Sequence, residues 1–102
     1  MVRTLKEALA ENLQDGEFAR GFGAELAKTD FAMLLVKARK AAGITRQELA
    51  GMSGFAESYI ARLESGEANP TIGKIGELLA LLGFRLVPDL ANLNLCAESE
   101  EV

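Results

Sequence analysis

Within one eight-residue stretch, several side chains have the chemistry to read a polar surface. In Glu57-Ser58-Tyr59-Ile60-Ala61-Arg62-Leu63-Glu64, the spacing of Ile60 and Leu63 turns both inward on a helix and leaves Glu57, Ser58, Tyr59 and Arg62 for its other faces. Arg62 is a planar fork of donors that matches guanine O6 and N7, the carboxylate of Glu57 can accept from cytosine N4, and the Ser58 hydroxyl suits a base or a phosphate. Arg46 and Thr45, at the start of the preceding helical pattern, stand where phosphate oxygens pass, and the Tyr59 hydroxyl can donate to the same oxygens. The plainer reading is an αα-hairpin in a small core, with Tyr59 as a half-buried ring.

The elements that must position these residues are two short helices and a tight turn. Thr45 is followed three residues later by Glu48, the reciprocal capping box that starts a helix. Leu49 and Ala50 supply its apolar face, and Ser53-Gly54 ends it, because glycine tolerates the left-handed backbone of a sharp turn. The second helix spans about Glu57 to Ser65 and stops at Gly66. Ala56 stands before it where Ser or Thr would cap, so this helix lacks a side-chain cap worth about 1 kcal/mol. Two such helices joined by a Gly-containing turn make a helix-turn-helix, whose second helix presents its first residues, Ala56, Glu57 and Ser58, with Arg62 to the major groove, while its first helix crosses the backbone.

The stretch GITRQELAGMSGFAESYIARLESGEANPT resembles the helix-turn-helix of the XRE family, which includes the lambdoid phage repressors and Cro. The matching elements are Gly43, Gln47-Glu48-Leu49-Ala50, the turn at Gly54, Tyr59-Ile60, Arg62-Leu63-Glu64-Ser65-Gly66 and Asn69-Pro70-Thr71, within about Phe31 to Gly83. The resemblance implies an all-α, lambda-repressor-like bundle, phosphate contact by Arg46, and an ion pair between Arg39 and Glu64 that locks the second helix. Glu57 departs from the family's frequent Gln or Arg, and phosphate repels a carboxylate there.

Composition bounds the alternatives. The 102 residues fit one domain, with 49% apolar and 25% charged residues. No apolar run approaches a membrane span and no signal-peptide pattern opens the chain, so a cytoplasmic location is expected. Cys96 is the single cysteine and there is no histidine; a disulfide, a zinc site and histidine-based catalysis are therefore not expected, nor is any cofactor. The net charge of −4 is unevenly spread: residues 1–30 carry −2, residues 31–83 carry +1 and residues 84–102 carry −3. Binding to a polyanion must then rest on locally placed cations.

Three segments follow from the patterns: a helical extension (1–30), the helix-turn-helix domain (31–83), and a short strand or dimerisation segment with an acidic tail (84–102). Thr4 and Glu7 form a second capping box before the stripe Leu5, Leu9, Leu13, and Phe18, Phe22, Leu26 repeat that spacing. Thr29-Asp30 either caps a new helix or sits inside one long helix, and Phe31, Leu34, Leu35, Ala38 and Ala42 form the next stripe. Thr71 caps a helix whose stripe is Ile72, Ile75, Leu78, Leu79 and Leu82; Gly73 and Gly76 within it suggest close helix packing. Phe84-Arg85-Leu86-Val87 alternates like a strand, which needs a partner, and Leu82, Phe84, Leu86 and Val87 are the expected homodimer contacts. Leu90 to Leu95 suggests a turn of helix, and residues 97–102 an acidic tail.

The layout of extension, motif and Gly-Phe-Arg-Leu-Val segment looks like the HigA-group antitoxins of type II toxin–antitoxin pairs. That likeness implies a homodimer on double-stranded operator DNA that represses its own operon and neutralises a small basic mRNA-cleaving toxin of the RelE/HigB class. A stand-alone phage-type or cellular regulator is the main alternative, and a DNA-independent interaction module the third.

Overall fold

The computed structural model describes residues 16–93, and they fold as four helices: α1 (Gly16–Ala42), α2 (Arg46–Ser53), α3 (Glu57–Glu64) and α4 (Ile72–Leu81). The expected helix over Leu5, Leu9 and Leu13, and the tail containing Cys96, lie outside the described residues. The described residues fall into two units, one of residues 25–87 and the other of residues 16–24 with 88–93. In the second unit the Phe18 and Phe22 rings stack with centroids 5.6 Å apart. Pro88 to Leu93 has no regular structure, so no helical turn forms at Leu90.

The unit Glu25–Val87 holds the helix-turn-helix. Its core gathers Leu35 and Ala38 of α1, Leu49 of α2, Ile60 and Leu63 of α3, Ile75, Leu78 and Leu79 of α4, with Ala68 and Leu82 from the connections. Leu49, Ile60 and Leu78 are fully buried, each stabilising the fold by about 1.5–3 kcal/mol. Phe31, Ile44, Phe55, Tyr59 and Leu86 pack partly against this cluster. All four helices belong to the bundle expected of the sequence pattern, and α1 passes through Thr29-Asp30 without a break.

Helix ends follow the side chains. Thr45 Oγ1 accepts from Glu48 N–H at 3.0 Å while Thr45 N–H donates to Glu48 Oε1 at 2.8 Å, completing the capping box of α2. Gly54 then takes φ +80°, the left-handed region that ends α2 and starts the turn. Ala56 supplies no side-chain cap to α3, and Thr71 caps α4 by accepting from Lys74 N–H at 3.3 Å.

Several expected positions differ. Leu34 is 37% exposed and Ala42 is exposed, whereas Ala32 is buried, so the inward face of α1 runs through Ala32, Leu35 and Ala38. Ile72 is 68% exposed, since it sits in the first turn of α4 before the helix reaches the core. Gly73 and Gly76 do not mediate close packing: a Cβ at either would meet no atom within 4 Å. Phe84–Val87 pairs with no strand among the described residues, because a single extended segment has no ladder partner within one chain.

Candidate nucleic-acid interface

The orientation of α3 decides which side chains it offers. Ile60 and Leu63 face the core, and at about 100° per residue Ser58 and Arg62 fall on the opposite side. Glu57, Ser58 and Arg62 are all exposed, while Tyr59 is half-buried against Phe55 and the core. The face predicted to read base edges is therefore open, with one carboxylate, one hydroxyl and one guanidinium on it. Such a set can accept from an amine and donate to a guanine.

Arg39 fixes the far end of α3. Its Nε donates to Glu64 Oε2 at 2.6 Å, its Nη2 to Glu64 Oε1 at 3.1 Å, and its Nη1 to the Ile44 carbonyl at 2.9 Å. One guanidinium thus ties α1, the turn before α2 and α3 together. Both side chains are nearly buried, at 11% and 7% exposed, so the attraction is little screened by water. The Glu64 hydrogen bonds, opposed by desolvation and aided by its charge, raise the Arg39 pKa above its usual value. Glu64 Oε1 also attracts Arg46 Nε at 3.5 Å, and Arg46 remains half exposed at the start of α2. That leaves Arg46 anchored at its root yet open to a phosphate. The Thr45 oxygen serves the capping box, and its hydroxyl proton stays available to donate.

On the other flank of α3, Phe55 and Tyr59 meet edge to face with centroids 5.4 Å apart. Lys74 Nζ from α4 lies over both rings, 5.6 Å from Phe55 and 5.7 Å from Tyr59. Reading the sequence alone missed this trio. Phe55 and Tyr59 are spaced i, i+4, but nothing in the pattern says that the first turn of α4 comes back over them.

Among the expected dimer contacts, Leu82 is 6% exposed and packs in the protomer's own core. Phe84 is 45% exposed and Val87 70%, while Leu86 packs partly on the core. Beside them runs an open groove of about 330 Å³, lined by Leu34, Lys37, Ala41, Leu79, Phe84 and Val87 among others. Among the described residues no group of acidic or cysteine side chains is placed to hold a metal ion, and no helix is long and apolar enough to cross a membrane.

A helix-turn-helix whose second helix is exposed and braced in this way defines a protein of the double-stranded-DNA-binding class. The sequence profile of the helix-turn-helix family HTH_3 matches residues 35–87, just over half the chain, and the chain belongs to that family. It is similar to an uncharacterized HTH-type transcriptional regulator, y4dJ, of Sinorhizobium fredii, with 37% identity over 59 residues that cover 58% of this chain and 71% of the relative. It is also similar to an uncharacterized HTH-type transcriptional regulator of Haemophilus influenzae, with 39% identity over 52 residues, 51% of this chain and about half (53%) of that protein. No solved structure matches.

Proposed function

We propose that this protein is a sequence-specific DNA-binding transcriptional regulator that works as a homodimer in the cytoplasm. The observation that carries the reading is the exposed Ser58–Arg62 face of α3, held by the Arg39–Glu64 ion pair. Glu57, Ser58 and Arg62 read base edges, and Thr45, Arg46 and Tyr59 hold phosphates. The relatives' names support the regulatory role. One recognition helix reads few bases, so two copies on half-sites about one turn apart supply the specificity.

The homodimer is read from Phe84–Val87. No backbone hydrogen bond joins Arg85, Leu86 or Val87 to another described residue, and Phe84 and Val87 leave apolar surface beside the groove. A second copy of the same segment supplies the missing strand partner, with two-fold symmetry.

The regulator doubles as an antitoxin. Residues 1–30 and 84–102 carry net charges of −2 and −3, which suit a small basic ribonuclease, and Phe18 remains 37% exposed beside Phe22. The test is co-purification of the full chain with a small basic protein, together with anisotropy titrations on duplex DNA. Sequence-selective DNA binding without any protein partner selects the stand-alone regulator. Partner capture without DNA binding selects the interaction module.

A further inference from the structure

Lys74 makes no ion pair among the described residues, although it stands in the first turn of α4, where the positive end of the helix dipole disfavours a cation. What holds it there is the pair of ring faces of Phe55 and Tyr59, 5.6 and 5.7 Å from its ammonium. Rings fix the cation's place without neutralising it, which leaves its charge available to an anion.

The anion follows from the direction of Tyr59. On α3, Tyr59 lies about 100° to one side of Ser58 and Glu64 about 120° to the other. Glu64 carries Arg46 on its flank at 3.5 Å, and Tyr59 carries Lys74 on the opposite flank. A helix seated in the major groove is walled on each side by a phosphate backbone. We propose that Lys74, seated on Phe55 and Tyr59, is a phosphate-contacting residue, gripping the backbone of the strand opposite the one that Arg46 holds. The proposal rests on the DNA-binding reading above and extends it: α3 is clamped from both walls, by α2 on one side and by α4 on the other.

The experiment uses the full-length protein and its selected duplex, with affinity measured by anisotropy across a salt series. Lys74→Gln lowers the slope of log K against log salt by about 0.9, one phosphate contact, and weakens every sequence alike. Lys74→Arg restores the slope. Phosphate ethylation interference adds the strand assignment: Lys74→Gln loses interference at phosphates on one strand, and Arg46→Gln at phosphates on the other. A Lys74→Gln protein that keeps the wild-type slope and interference pattern overturns the proposal while leaving DNA binding intact. So does loss of interference on the same strand as Arg46→Gln. Wild-type protein that binds no duplex overturns both readings.

Discussion

Arg39 and Glu64, 25 residues apart in the chain, meet in a two-pronged ion pair with Nε–Oε2 at 2.6 Å and Nη2–Oε1 at 3.1 Å. The pair fastens the last residue of α3 to α1 while the first residues of α3 stay free to meet a partner. Removing Glu64 strands a nearly buried guanidinium and also releases Arg46. Glu64→Ala is predicted to cost about 3 kcal/mol and to lower Tm by more than ~10 °C. Arg39→Met combined with Glu64→Leu recovers part of that loss, because an apolar pair needs no desolvation. Denaturant titration of the three variants checks both statements, and unchanged stability in Glu64→Ala contradicts the bracing role.

The same pair gives a pH signature. Its hydrogen bonds raise the Arg39 pKa, so the folded-state value lies above the unfolded one. The stabilisation is fully present below the unfolded pKa and is lost only as pH rises through the folded one, in strongly alkaline solution. Arg39→Lys moves that loss down toward the ordinary lysine pKa of about 10.4. Melts between neutral pH and about pH 11 test this: the lysine variant falls away from wild type at the alkaline end.

The roles proposed for Arg62 and Arg46 differ in what their removal does. Arg62→Ala weakens binding by about 1–3 kcal/mol, mainly at a single base position. Arg46→Ala weakens all sequences alike and flattens the salt dependence by about one contact. Competition titrations against single-base variants of the site distinguish the two, and equal losses on every sequence from both variants contradict the division.

The glycines of α4 and of the turn respond in opposite directions. Gly73→Ala and Gly76→Ala each stabilise the protein by up to about 1 kcal/mol, since the helix gains propensity and the new methyl meets no atom within 4 Å. Gly54→Ala destabilises by about 1–2 kcal/mol, because φ is +80° there. Thermal melts of the three variants suffice to check the signs.

Much of the fold was legible because its signals are local. Thr45 and Glu48 sit three residues apart and cap each other, Gly54 and Gly66 take the left-handed backbone their positions predict, and Leu49, Ile60 and Leu63 mark inward faces by spacing. What stayed hidden depends on tertiary placement. Periodicity puts Leu34 and Ile72 on apolar stripes, yet the core does not extend to cover either. Ala32 carries too little apolar surface to announce its burial. The seat of Lys74 over Phe55 and Tyr59 joins residues 15 to 19 apart, a contact that only the crossing of α4 and α3 creates. Arg39 and Glu64 were named through family likeness, since no local spacing connects α1 to α3.

In the proposed function the outward face of α3 reads a DNA sequence, and two copies of the chain do so together. Selection of bound duplexes from a random-sequence library by the full-length protein tests it most directly. The expected result is an enriched inverted repeat with half-sites about one helical turn apart, and relaxed preference at one position per half-site when Arg62→Ala is used. A library that emerges unenriched, or a preference identical in wild type and Arg62→Ala, would contradict it.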